Sequence, residues 1–354
     1  MTRRGESYRA RVARRMIGIL FAWLGVALVL PAAAQAPPQT KALEWKLSTA
    51  LGPAYPQGRA GVIWGQLIRE RSGGRLNVKI FPGATLAQRD PAREFAALRD
   101  GTIDLAVGSA SSWAPQVVEL NLIALPWLVP DRDALDLLLH GEVGMRLSAA
   151  VLAAGVVPLA WAGDGFRELA TRREVHLPAD LNGLSVRVAA SPPLLETLQA
   201  LGAAPVSINA ADALAAQRRG ALDGEEMSVA AYGTSRLYVA GFARLLVWGA
   251  HADALLFAIN RATWDGLSGA DRDLVLQAAR DAAQQATAMA HKLSDTAALA
   301  ELSRRGATVI RLTPSGKQRF REAARMVYDR WAAVVGRDLV RTAESAVASA
   351  PSNK

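Results

Sequence analysis

The chain is 354 residues long, 51% hydrophobic and 21% charged, which excludes a disordered or collagen-like protein and allows about two domains with cores of their own. It contains no cysteine, so disulfide scaffolds, thiolate metal sites, a cysteine nucleophile and a lipid-modified cysteine anchor are ruled out. Six of the 41 basic residues and one acid precede residue 35; the remaining 35 basic and 31 acidic residues leave only +4 of the formal +9, too little to argue for nucleic acid.

Residues 1–15 are arginine-rich, Ile17 to Leu30 is an uncharged apolar run, and Ala32-Ala33-Ala34 precedes Gln35. This is the layout of a signal peptide over 1–34, cleaved after Ala34. Ala36 also fits the small-x-small pattern, but Pro37 would then follow the scissile bond. The apolar run is shorter than the ~20 residues a spanning helix needs. Arg14-Arg15 permits a twin-arginine route, although the residues after the pair fit it poorly. Either route predicts bacterial export and a periplasmic location.

Ala36 to Lys41 reads as a tether, and Leu43 to Thr49 as a strand by its apolar–polar alternation. A turn at Gly52-Pro53 precedes helical spacing over Gly61 to Arg71. Leu76 to Phe81 reads as a strand, Pro91 to Arg99 as a helix closed at Gly101, and Ile103 to Val107 as a buried strand. Strands and helices alternating at this spacing predict an α/β sheet.

A weak repeat supports two lobes of like architecture. Ala96-Ala97-Leu98-Arg99-Asp100-Gly101-Thr102-Ile103-Asp104 recurs as Ala215-Ala216-Gln217-Arg218-Arg219-Gly220-Ala221-Leu222-Asp223, and similar strands, Leu76 to Ile80 and Leu184 to Val188, stand upstream. Further on, Ser268 with Asp271 has the form of a helix cap, and Asp271 to Arg305 predicts one helix ~50 Å long, enough to run along both lobes. Thr313-Pro314 begins a last helix to about Val340, carrying Tyr328 and Trp331, and a frayed tail over 341–354 follows.

Catalytic and metal motifs are missing. The four histidines (His140, His176, His251, His291) are scattered, and there is no H-E-x-x-H, G-x-S-x-G or P-loop lysine. His251-Ala252-Asp253 supplies two ligands at most. Gly108 to Trp113 offers hydroxyls suited to a hydrogen-bonding loop rather than to an activated serine. The acidic run Asp223-Gly224-Glu225-Glu226 reads as a turn leading into a solvated helix start. No cofactor and no metal are expected.

Arg187 is the conspicuous residue. In Leu184 to Val188 the alternation puts Val186 and Val188 on one face and Arg187 on the other. A charge within a short apolar strand needs a partner, either a carboxylate of the protein or a carboxylate of a ligand, and the strand pattern leaves both open.

From about Leu43 to the final helix the chain resembles the periplasmic solute receptors of tripartite ATP-independent periplasmic (TRAP) transporters, of the dicarboxylate-receptor type. Leu125-Pro126-Trp127 is similar to an apolar-Leu-Pro-aromatic segment of that family. Gly165-Phe166-Arg167, followed by Pro178 to Val188, resembles its G-x-R and P-x-D-L-x-G-L-x-x-R-V signature. Gly202-Ala203-Ala204-Pro205 and Gly220 to Glu226 resemble its G-A-x-P and G-x-V-D-G-x-E elements.

The resemblance implies an α/β, two-lobed periplasmic binding protein (type II-like) with mixed sheets, its lobes joined by crossover strands and a long helix. Lobe I would comprise 41–164 plus 251–292 and lobe II 165–250 plus 293–340. It implies a receptor, not an enzyme, that binds a small organic acid between the lobes and presents it to the membrane subunits of a TRAP permease; it says nothing of oligomeric state. Arg187 then matches the arginine that forks onto the ligand carboxylate, and Arg167 the second arginine near it. Met227 stands where the family commonly has asparagine, Ser109 where some sugar-acid receptors carry an acid, and Asp212 where glutamate is frequent. These departures point to a less polar ligand body packed by Trp113, Trp161 or Met227. The alternatives are a periplasmic enzyme on a small carboxylate, with Glu226 as its base, or a two-lobed sensor serving a membrane kinase.

Overall fold

The computed structural model describes residues 43–350, the side chains of Ala210 and Ala211 excepted; the signal peptide and the tether expected up to Lys41 lie outside the described residues. Strand β1 (Leu43–Thr49) is followed by α1 (Pro56–Arg71), β2 (Leu76–Pro82), α2 (Pro91–Arg99) and β3 (Leu105–Ser109). β1 lies in the middle, with β2 and β3 parallel to it on either side. Short α3 (Ala110–Trp113), then α4 (Arg132–His140) and α5 (Glu142–Ala153), lead to the long strand β4 (Val156–Thr171). The βαβαβ pattern then recurs as β5 (Ser185–Val188), α6 (Pro192–Ala200), β6 (Ala204–Ser207), α7 (Ala210–Arg218) and β7 (Gly224–Ser228), with β5 in the middle and β6 and β7 parallel on either side.

This topology corrects the strand half of the sequence repeat. β5 occupies the place of β1, whereas the residue similarity had matched it to β2. The helix–turn half is in register: α2 and α7 are each followed by a glycine with positive φ, Gly101 at 78° and Gly220 at 72°. Glycine adopts that left-handed conformation without steric cost.

After α8 (Val229–Ser235) comes the second long strand, β8 (Arg244–Asn260), antiparallel to β4 over most of its length. β3 joins one end of β8, and β7 joins the other end of β4. One nine-stranded sheet, ordered β2-β1-β3-β8-β4-β7-β5-β6 with β9 (Thr308–Arg311) on β8, therefore runs through both lobes. Register breaks in the β4–β8 ladder fall at Pro158/Ala160, Gly163/Gly165 and Arg167/Leu169.

The remaining helices are α9 (Arg261–Asp265), α10 (Gly269–Ser294), α11 (Thr296–Arg304), α12 (Pro314–Ala323), α13 (Arg325–Val335) and α14 (Arg337–Ser349). α10 has 26 residues, about 39 Å at 1.5 Å per residue, so the single longer helix expected to Arg305 is interrupted. Asp295 ends it by capping α11, its carboxylate accepting the Ala298 N–H at 2.7 Å. Ala278, Ala279, Ala282, Ala283 and Ala286 form the buried stripe of α10 and let it lie close on α1 and β4.

The C-terminal region also departs from expectation. Gly336, with φ of 110°, separates α13 from α14, and α14 continues to Ser349 with Ala343 fully buried, in place of a frayed tail. Val327, Trp331, Val335 and Leu339 join the first lobe's core, so these helices pack there and do not simply extend the second lobe. The Trp331 indole also donates to Glu196 of α6 at 2.9 Å. Among the described residues no helix is long and apolar enough to cross a membrane.

Candidate functional site

The alternation of β5 is realised: Val186 and Val188 are fully buried, and Arg187 on the other face is partly exposed. Its Nε donates to the Ile208 carbonyl at 3.1 Å and its Nη1 to Glu225 Oε1 at 3.0 Å. Glu225 lies opposite it on β7, and its second oxygen accepts from Gln217 Nε2 at 2.6 Å. The protein thus supplies Arg187 with one carboxylate, while Nη2 has no partner among the described residues. Tyr55, half-buried just before α1, has its phenol pKa raised by burial and by the charge of Glu225. Tyr55 belongs to the first lobe, whereas Arg187 and Glu225 belong to the second.

Arg167, on β4, is more fully engaged. Nε donates to Glu226 Oε2 at 2.8 Å, Nη1 to Asp253 Oδ2 at 3.2 Å and Nη2 to the Glu226 carbonyl at 3.1 Å. Asp253, buried on β8, also accepts from Ser109 Oγ at 2.8 Å and from the backbone N–H of Ser111 and Ala254 at 3.2 and 2.9 Å. Four donors engage that carboxylate, and it fixes Arg167 in place. Burial is the largest influence on the guanidinium and opposes its charge, but Glu226 and Asp253 outweigh it and Arg167 stays protonated. For Arg187 burial prevails and lowers the pKa, leaving it a cation at physiological pH.

Two polar atoms beside Arg167 are buried without partners, Glu226 Oε1 and His251 Nε2. His251 Nδ1 contacts the Ala124 carbonyl at 2.8 Å, and burial, with the Arg167 charge adding to it, pushes the imidazole down to about 4, so the ring is neutral. It is a core histidine of β8.

Arg187, Arg167, Glu226 and Ser109 are thus linked through Glu225, Asp253 and β7. Met227 is half-buried near the end of β7, packed against the buried cluster that contains Tyr232 and Phe242. The two tryptophans are placed elsewhere. Trp113 is fully buried in the first lobe's core, edge-on to Phe95 at 5.5 Å and so close over Gly108 that a β-carbon there would stand 2.0 Å from the indole. Trp161 is in the same core and donates to Ser148 Oγ at 2.9 Å. The bulk of both is used in packing within that core.

Glu225 and Glu226 are likewise not a solvated helix start but buried residues of a strand, held there by two guanidiniums. Asp212 is exposed and takes part in capping α7 with Asn209. Sequence reasoning missed Tyr55, Gln217, Glu225, Asp253 and Asp164. Two of them carried a signal: Glu225, within the D-G-x-E element already singled out, and Asp253, which stood with His251 as a possible ligand.

Residues 47–333 match the model of bacterial extracellular solute-binding protein family 7. The structure is similar to that of a TRAP periplasmic solute-binding protein from Ralstonia eutropha H16 with bound (S)-2-acetolactate, at 45% identity and TM-score 0.84, covering 86% of this chain and 98% of that one. A C4-dicarboxylate-binding periplasmic protein of Rhodobacter capsulatus is 25% identical over 95% of this chain and 99% of its own length. An uncharacterized protein of Sinorhizobium fredii is 28% identical over 92% of this chain, which spans 59% of that relative's length. The chain belongs to family 7 of the bacterial extracellular solute-binding proteins, the periplasmic solute receptors of TRAP transporters.

Proposed function

We propose that the protein is the receptor of a TRAP uptake system for a short organic monocarboxylate, with Arg187 as the carboxylate anchor. The observation that carries this reading is the asymmetry between the arginines: every nitrogen of Arg167 has a protein acceptor, whereas Nη2 of the partly exposed Arg187 has none among the described residues. A guanidinium edge is a planar fork that fits a carboxylate. Arg167 contributes fixed positive charge, and Ser109 orders Asp253 behind it. Met227, which donates no hydrogen bond, suits a small and partly apolar ligand body. The (S)-2-acetolactate held by the relative at 45% identity is a ligand of that kind.

Tyr55 and Ser109 come from one lobe and Arg187, Glu225 and Met227 from the other, so a ligand touching both stabilises the closed form. Closure is the signal read by the permease, and no chemical change of the solute is required. Mass spectrometry of the small molecule that copurifies under native conditions, followed by calorimetric titration with it, tests the reading. A short 2-hydroxy or 2-oxo monocarboxylate recovered intact is the expected result. Preference for hexuronates, or recovery of a converted product, would refute it.

A further inference from the structure

Asp164 lies at a break in the β4–β8 ladder. Gly163 pairs with Ala254 and Gly165 with Asp253, so Asp164 is the extra residue of a bulge. Such a residue breaks the alternation of faces and re-aims its side chain. Gly165, with φ of 85°, supplies the left-handed backbone that the kink uses. The side chain is half-buried, three residues before Arg167, and has no hydrogen bond or ion pair among the described residues. Both Asp253 and Arg167 act on it electrostatically.

Charge counting makes this residue consequential. Two guanidiniums, Arg167 and Arg187, already face three carboxylates at 2.8 to 3.2 Å, those of Glu226, Asp253 and Glu225. Asp164 is a fourth acid in the same neighbourhood, and an anionic ligand adds a fifth negative charge in a cleft that loses water on closing. That excess is costly to desolvate. Asp253 accepts from four donors and Glu225 from two, so the oxygens of both are already engaged by the protein. Glu226 is tied to Arg167 and fully buried. The other titratable groups nearby are His251, which is neutral, and Asp136, which lies against Gly163 and faces His291. Asp164 alone combines exposure with the lack of a partner.

We propose that the receptor binds its carboxylate ligand together with one proton, carried by Asp164, which in the carboxylic acid form donates a hydrogen bond to the ligand. The inference rests on the carboxylate-receptor reading given above. The proton comes from solvent and is returned on release. Burial and the neighbouring Asp253 push Asp164 up to about 7, within reach of ordinary buffers.

The test is calorimetric titration of the full receptor with (S)-2-acetolactate in buffers of different ionisation enthalpy at pH 8, with Kd measured from pH 6 to 9. The wild type should take up close to one proton at pH 8, and its Kd should rise about tenfold per pH unit above pH 7.5. Asp164→Asn, a fixed mimic of the protonated side chain, should still bind, with no proton uptake and a flat profile. Equal uptake in Asp164→Asn, or none in the wild type, overturns the proposal while leaving the receptor reading intact. A wild type that binds no short carboxylate at any of these pH values overturns both.

Discussion

Arg187 and Glu225 meet across the β5–β7 ladder, Nη1 to Oε1 at 3.0 Å, and Gln217 holds the other Glu225 oxygen at 2.6 Å. The pair orients the guanidinium without using it up. Glu225 therefore fixes the plane of the fork, and Nη2 remains for an incoming acid. Its own pKa is raised, because burial outweighs the arginines beside it.

Arg187→Ala is expected to weaken ligand binding by about 3–5 kcal/mol, because it leaves Glu225 and the ligand carboxylate buried without their shared cation. Arg187→Lys should also weaken binding, since an ammonium cannot present a planar fork. Calorimetric titration reads both effects, and circular dichroism controls for folding. Unchanged affinity in two folded variants would reduce Arg187 to a structural partner of Glu225.

The sequence disclosed features whose causes are local. β1 and α2 have the bounds read from alternation and from proline after Asp90, whose carboxylate caps the helix by accepting the Ala92 N–H at 2.9 Å. Arg187 was legible because three consecutive positions fixed its face. What stayed hidden depends on distant partners. Asp253 is defined by Ser109, 144 residues away, and Arg167, 86 away, so its own neighbourhood looked like half a metal site. Glu225 and Glu226 looked solvated because acidic pairs favour turns, and only two guanidiniums from other strands make their burial tolerable. Trp113 and Trp161 were read as packing a ligand body, but the sequence does not say whether a ring faces a cleft or a core, and both lie in the first lobe's core.

Stability should rise as the pH falls from 8 to about 6.5. Glu94, whose Oε1 accepts from Ser48 Oγ at 2.5 Å, and Glu168, which accepts the backbone N–H of Trp248 and Gly249 at 2.8 and 3.1 Å, are both buried. Burial pushes each up to about 7 against an unfolded value near 4.3. The folded state then binds more protons than the unfolded state. The stabilisation is complete below the unfolded value and is lost as pH rises through about 7. His251 acts in the opposite sense, but only as pH falls from about 6.5 towards 4. Calorimetric Tm of the ligand-free protein should therefore be higher at pH 6.5 than at pH 8. Glu94→Gln, which does not ionise, should gain about 1–3 kcal/mol at pH 8. A wild-type Tm that falls over this interval would contradict the assignment of these two carboxyls.

Trp127 is expected to be among the most sensitive positions outside the ligand site. Leu125 packs in the first lobe's core, yet Trp127, two residues on, is in the second lobe's core with Leu169, Trp248 and Phe320. Its φ is 57°, a left-handed conformation that a bulky residue adopts only when its surroundings impose it. Those surroundings are identifiable: its N–H donates to the Ala250 carbonyl at 2.7 Å, its indole to the Trp248 carbonyl at 3.2 Å, and its ring stands edge-on to Trp248 at 6.0 Å. The residue fastens a loop of one lobe to the segment of β8 that enters the other. Trp127→Ala should lose about 3–5 kcal/mol by urea denaturation, and Trp127→Phe, which keeps a ring but not the indole donor, about 1–2 kcal/mol. Trp127→Gly should be no worse than Trp127→Ala despite the smaller residue, because glycine relieves the positive φ. If Trp127→Ala instead lost less than about 1 kcal/mol, the fastening would be dispensable, and the strain at this position would require another cause.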